Sequence, residues 1–319
     1  MKLFASWTKG LPQSEVALSI LQAGGFAGVE MSNIGVEAVD GVMNSGLELS
    51  LHTPGVPEGL PVINLANPNL IGGIRGHERF HEWLEAVKRA SVVSYHFGYS
   101  ARKVFKMVSY PNIPKGGRGG VISDRRELWN VMADNIRKLM KLMERDRGPV
   151  LLENMDFSRE LPVLWNKQKP EVLAYREEIE SAIKEFGTNA GLQYVAEPEF
   201  INLVVEKCPG TGILLDVAHA MVAADAMGVH SEDYIAAIMS AGNVKHLHVS
   251  VPSGCSGKGF VDAALPFKER DRNSCKARSL ARMVLFGGTV DFVTLEISTG
   301  LAPVEHAHFM LEQANLLGS

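Results

Sequence analysis

Short runs of Val, Ile and Leu recur along the chain, separated by longer stretches in which apolar positions fall three or four residues apart. Eight runs stand out, at 3–7, 28–32, 47–52, 92–97, 149–154, 212–217, 244–250 and 292–297. Several are almost continuously apolar rather than alternating, as expected of parallel strands covered on both faces. The stretches between them predict helices. Residues 14–23 run into the stop signal Gly24-Gly25, and 77–90 space Phe80, Leu84 and Val87 along one face. Residues 127–145 carry Leu128, Val131, Met132, Ile136, Leu139, Met140 and Met143 before Gly148. Pro170 and Pro303 open the predicted helices 170–186 and 303–316, where a missing N–H costs nothing. Helices are also predicted at 198–206, 231–240 and 279–285.

Strands alternating with helices eight times over predict a single (β/α)8 TIM barrel spanning 1–319. A doubly wound open sheet would place a glycine-rich phosphate loop after the first strand, and Trp7-Thr8-Lys9-Gly10 is not one. The connections 54–76, 99–126 and 156–197 are longer than a barrel needs. All three follow strands, so they belong to the barrel face that carries active sites and read as lids or binding loops.

Composition adds little beyond exclusions. The chain is 46% hydrophobic and 21% charged with a net charge of −4, so no basic surface calls for nucleic acid. Cys208, Cys255 and Cys275 are odd in number and widely spaced, which argues against a disulfide framework and a thiolate zinc site. The N-terminal MKLFASWTKGLPQSE lacks a signal-peptide core, and no run is long enough to span a membrane. A cytoplasmic location is expected.

The informative pattern lies at the strand ends. LSLHT ends in His52, VVSYHF in His96, VLLEN in Glu153 and Asn154, ILLDVAH in Asp216 and His219, KHLHVS in His246 and His248, and TLEIS in Glu296. A single ionisable residue there is usually a hydrogen-bonded core group. On six consecutive strands of a closed barrel these ends converge on one ring. Burying so many ionisable groups together is costly unless something pairs them, and no Lys or Arg sits at these ends. A cation would do so. The expected ligands are His52, His96, Glu153, Asp216, His219, His248 and Glu296, more than one ion needs. Two ions are therefore expected, with Glu153 as the bridge. All-nitrogen-and-oxygen ligation admits Fe, Mn, Co or Zn. His246 and His248 share a strand face, and the one nearer the mouth, His248, is favoured as the ligand. His246 is either a supporting partner or a deeper structural residue. Asn154, on the other strand face, suits substrate or ligand support. Glu153, Glu296, His246 and Asn154 are the candidate catalytic residues.

These residues resemble the xylose-isomerase-like barrel superfamily, which includes sugar isomerases, epimerases and an apurinic endonuclease family. The shared marks are GFAGVEMS, LLEN, GILLDVAHA, HLHVS and LEIS. Within it, EPEFINLVVEKCPGTGILLDVAHAMVAADAMGVHSEDYIAAI, with VSYHFGYSA and VLLEN, is similar to the multinuclear non-haem iron-dependent oxidases that modify ribosomally made peptides. That resemblance implies iron at His52, His96, Glu153, Asp216, His248 and Glu296, with His219 where members carry Asn or His. Where relatives read Asp-x-His-x-Pro, this chain reads Asp262-Ala263-Ala264-Leu265-Pro266, which favours two ions over three and counts against the endonuclease.

The leading expectation is thus a di-iron oxidase using dioxygen on a peptide or amino-acid-like substrate, which a substrate-presenting partner protein would deliver. The alternative is a divalent-metal sugar or sugar-phosphate isomerase or epimerase in which Glu153 and Glu296 ligate the ion and exchange a proton with substrate. Lys115 and Arg118 would then contact a phosphate or carboxylate. A barrel that binds metal without turnover is the non-enzymatic reading.

Overall fold

Eight parallel strands close on themselves in a computed structural model that describes residues 1–8, 14–32, 37–52, 63, 65–66, 69–96, 125–143, 148–155, 196–255 and 259–318. In chain order the wall is β1 (Lys2–Thr8), β2 (Gly28–Ser32), β3 (Glu48–His52), β4 (Val92–His96), β5 (Val150–Glu153), β6 (Thr211–Asp216), β7 (Val244–Val249) and β10 (Phe292–Leu295). Pairing runs in this order around the ring, and β10 returns to β1 with Lys2 opposite Phe292. The expected (β/α)8 barrel is what the chain forms. Two further strands, β8 (Val251–Cys255) and β9 (Gly259–Leu265), make an antiparallel hairpin beyond β7 that the hydrophobic pattern did not predict.

Helices cover the outside: α1 (Glu15–Ala23), α2 (Glu37–Asn44), α3 (Leu70–Arg75), α4 (Phe80–Arg89), α5 (Arg125–Met143), α6 (Pro198–Lys207), α7 (Val217–Met227), α8 (Ser231–Met239), α9 (Arg272–Gly287) and α10 (Pro303–Gly318). Their starts are chemically marked. Ser14 accepts from the Ala17 N–H, Asp216 from that of His219 and Asp271 from that of Ser274, each satisfying a donor the first turn leaves orphaned. Gly228, at φ 73°, ends α7 in the left-handed conformation that glycine adopts without strain. The predicted helix 279–285 is the second half of the longer α9. The predicted helix 170–186, most of the three long connections, Lys115 and Arg118 lie outside the described residues.

The barrel's interior follows the two-residue alternation of strands. Val92, Leu151 and Leu214 with Phe292 form a small apolar cluster separate from the large core under the helices. Two residues further along come polar groups: Ser94 after Val92, Glu153 after Leu151, Asp216 after Leu214 and Thr294 after Phe292. Glu30, Ser50 and His246 share that burial. The barrel is thus plugged with hydrocarbon at one end and becomes polar and ionisable toward the C-terminal ends of its strands. Among the described residues no helix is long and apolar enough to cross a membrane.

Candidate metal centre

The strand register sets the site. His96 lies opposite Glu153 across β4 and β5, and Asp216 opposite His248 across β6 and β7. His52 lies opposite Ser94, one pleat below His96. Glu296 follows β10 directly, its N–H donating to the Val249 carbonyl. Residues far apart in sequence therefore reach one height without strain.

Glu153 is at the centre. Its Oε2 lies 3.2 Å from His52 Nε2 and 3.0 Å from His96 Nε2, while its Oε1 lies 3.4 Å from both His219 Nδ1 and His248 Nδ1. Both carboxylate oxygens are buried, yet neither makes a hydrogen bond. Such a group is costly to bury. The two Nε2 atoms of His52 and His96 are 3.0 Å apart. The His52 Nδ1 faces the Ser94 hydroxyl at 3.0 Å; with its proton donated there, Nε2 keeps a lone pair aimed at the same space. Orphaned oxygens and converging ring nitrogens are what a cation requires, so the residues fit a metal.

Two sets of ligand atoms meet at Glu153. One is His52, His96 and Glu153; the other is Glu153, Asp216, His248 and Glu296; the atoms within each set lie within 4.8 Å of one another. His248 Nδ1 sits 3.0 Å from Glu296 Oε2 and 4.0 Å from Asp216 Oδ2, and Asp216 Oδ2 is another buried oxygen without a hydrogen bond. His219 is adjacent to both sets: Nδ1 faces the Asn154 carbonyl at 2.8 Å and Nε2 stands 3.5 Å from Asp262 Oδ2. The unpredicted hairpin delivers Asp262. Two residues on, Ala264 holds φ 43°, a left-handed conformation for a non-glycine residue, and its carbonyl accepts from Ser298 beside the mouth.

The other candidates are placed as follows. The Asn154 amide exchanges two bonds with the Asp216 backbone, accepting from its N–H at 2.7 Å and donating to its carbonyl at 3.2 Å, so it fixes the turn that presents Asp216 and His219. His246 lies one layer below His248, with Nε2 2.8 Å from the Thr294 hydroxyl and its ring near Phe4 and Phe292. Glu30 was not predicted. It is buried at the middle of β2, its Oε1 2.8 Å from His248 Nε2 and its Oε2 accepting from the Ser50 hydroxyl at 2.8 Å. The signal was present: an acid at the centre of an apolar run, where no surface accounts for it.

The protonation tendencies of the side chains express the same crowding. Burial alone would raise the Glu153 carboxyl, but the imidazoles of His52, His96 and His219 hold it well below the ordinary carboxylate range. Burial is likewise outweighed at Glu30, where His248 and its neighbours hold the carboxyl at about 2. Asp216 goes the other way: burial, reinforced by Glu296, Glu153 and Asp262 and only partly offset by His219, raises it well above the usual value. Burial lowers His52, despite Glu153, and takes His246 down to about 3. At His219 and His248 burial is overcome by the surrounding carboxylates and both rings are raised well above the usual imidazole value. Among the described residues no Lys or Arg pairs with Glu30, Glu153, Asp216 or Glu296, so the ring contains only groups whose charge a cation or a proton can balance.

No family model matches the chain, and no curated protein matches it in sequence. Solved structures do match in shape. A D-tagatose 3-epimerase-like protein superposes with a TM-score of 0.57 at 14% identity, covering 100% of this chain and 98% of that one. The 3-keto-D-glucoside 4-epimerase of E. coli gives 0.56 at 11% identity, covering 99% of both chains. Mannonate dehydratase from Streptococcus suis gives 0.55 at 11% identity, covering 99% of this chain and 94% of that one. Similarity at this identity speaks to architecture and does not reach the peptide-modifying oxidase branch. The chain has the closed (β/α)8 barrel fold, and over nearly its whole length it superposes on these epimerases and this dehydratase.

Proposed function

We propose that the chain is a metal-dependent isomerase or epimerase of a small polyhydroxylated carbonyl compound, the reading that the sequence placed second. The observation that carries it is the quartet Glu153, Asp216, His248 and Glu296, whose ligand atoms converge within 4.8 Å at the mouth of a barrel shaped like those of sugar epimerases. A divalent ion, if held by this quartet, would supply electrophilic polarisation of a carbonyl and its neighbouring hydroxyl. The protein's own part is proton handling. Glu296, with 28% of its side chain exposed, is the carboxylate that substrate can reach, and it takes the proton from the carbon beside the carbonyl. Glu153, wholly buried three strands around the ring and kept ionised by its imidazole neighbours, would hold the ion, while Glu296, once protonated, returns its proton to the adjacent carbon or exchanges it with solvent. His219 and Asp262 at the rim are placed to bind hydroxyl groups.

One observation favours a second reading. Glu153 belongs to both ligand sets, and a bridged pair of ions is what the resemblance to the iron oxidases implies. One experiment separates the two. The protein is loaded in turn with Mn2+, Co2+, Zn2+ and Fe2+ and offered a panel of ketoses and ketose phosphates in deuterated water. The isomerase reading expects solvent deuterium at a single substrate carbon, lost on chelation. No exchange anywhere in the panel, together with dioxygen uptake by the iron form on a thiol-bearing peptide, overturns it in favour of the oxidase.

A further inference from the structure

His248 is flanked at both ring nitrogens. On the Nδ1 side stand Glu296 at 3.0 Å, Glu153 at 3.4 Å and Asp216 at 4.0 Å, the carboxylates of the ligand quartet. On the Nε2 side, among the described residues, the nearest carboxylate is Glu30 at 2.8 Å, one layer deeper. An imidazole can ligate an ion only through a nitrogen that carries no proton, and the proton then resides on the other nitrogen. Which nitrogen that is depends on the partner below. Glu30 is buried with the ring, and its second oxygen is held by the Ser50 hydroxyl at 2.8 Å. His246 is 3.8 Å from that oxygen, but its Nε2 is engaged by Thr294 at 2.8 Å. The Nε2 of His248 is buried and lies close to Glu30, with no hydrogen-bond partner of its own among the described residues.

We infer that Glu30 is a positioning residue for the metal centre: by accepting a hydrogen bond from the Nε2–H of His248 it fixes the ring orientation and tautomer that leave Nδ1 free to ligate. A carboxylate behind a ligating imidazole also raises the basicity of the ligating nitrogen. Ser50 orients Glu30 in turn, so a serine on β3, a glutamate on β2 and a histidine on β7 form one chain running from the barrel's middle layer to its mouth.

This inference rests on the metal-centre reading and is independent of the reaction catalysed. The test is a Zn2+ titration against a competing chelator for the wild type, Glu30→Gln and Glu30→Asp. It is paired with nitrogen-15 spectra of the histidine rings in the zinc-loaded wild type, assigned with His248→Gln. We expect His248 to show a protonated Nε2 and a metal-bound Nδ1. We expect E30Q to bind zinc about 10–100-fold more weakly with unchanged saturating stoichiometry, and E30D to recover part of the loss. A wild type that binds no divalent ion fails the metal-centre reading and this inference together. Equal zinc affinity in the wild type and E30Q overturns the inference alone. Loss of one whole equivalent in E30Q makes Glu30 a ligand, with His246 and His248, of a deeper ion, and also overturns it. Should the variants not fold, the wild-type spectrum still decides: a metal-bound Nε2 on His248 refutes the positioning role.

Discussion

Glu153 touches four imidazoles and hydrogen-bonds to none of them, and the site's chemistry follows from that residue. Removing its carboxylate takes a ligand from both sets. Glu153→Ala is expected to weaken divalent-metal binding by more than about 100-fold, since even a supporting partner of a ligand accounts for 10–100-fold. Metal analysis after dialysis measures it, and full occupancy in the variant would refute the central role. His306 offers a residue-scale prediction away from the metal. Its Nε2 donates to the Ser6 carbonyl at 2.9 Å and its Nδ1 accepts from the Thr299 hydroxyl at 2.8 Å. Burial lowers its pKa, with the Ser6 carbonyl opposing. The folded ring therefore stays neutral at pH values where the unfolded one is already charged. The unfolded state binds more protons, so stability is full above pH 6.5 and falls as pH drops toward the folded value. His306→Gln should flatten that slope, read by urea unfolding between pH 7.5 and 5.5. The ring of candidate ligands was legible because each residue is an ionisable group at or just past the C-terminal end of an apolar run. Glu30 escaped the same reading because it sits inside its run, where only the inward-outward alternation distinguishes it.

The elements differ in how openly the sequence declares them. The barrel strands are short, apolar and bounded by turns, and all eight emerge at or near their predicted positions. α7 is buried on nearly every side, from Val217 through Ala224, so it has no polar face to give it a helical period. Its start was readable only from Asp216 and His219. α9 shows the opposite difficulty: its first turns, RNSCKARS, are polar, and Ser274 and Ala277 carry the buried stripe before Leu280, Ala281 and Val284 make it visible. The β8–β9 hairpin is short and glycine-bearing, and it was missed although it brings Asp262 to His219. β2 supplies the element-scale prediction. A Cβ at Gly28 would lie 2.3 Å from the Phe4 ring and 2.4 Å from the Glu48 carbonyl oxygen. The latter is backbone of the neighbouring strand and cannot swing aside. Gly28→Ala should destabilise the fold by about 1–3 kcal/mol through overpacking, measured by urea unfolding. It should also misplace Glu30, two residues along the same strand.

At the scale of the molecule the barrel separates its tasks along its axis. The apolar plug of Val92, Leu151, Leu214 and Phe292 closes one end, and the ionisable ring occupies the other. The ring is a concentration of buried ionisable groups that, among the described residues, meet no Lys or Arg and balance only as imidazole–carboxylate pairs. An ion that binds only the folded chain should stabilise it by mass action, by about 2.7 kcal/mol at a hundred times its dissociation constant. Unfolding followed with Zn2+ or Mn2+ against excess chelator measures this, and identical curves would mean that the ring holds no ion. The sharing of Glu153 has a further consequence for how the ring fills. Were both sets to hold an ion, the shared carboxylate would link their occupancies thermodynamically: the first ion would draw on the charge and orient the oxygens that the second must use. Loading would then follow a curve that two independent sites cannot fit. The preparation's history of metal exposure would decide which form predominates, and a substrate that displaces Glu153 from one ion would alter the grip on the other.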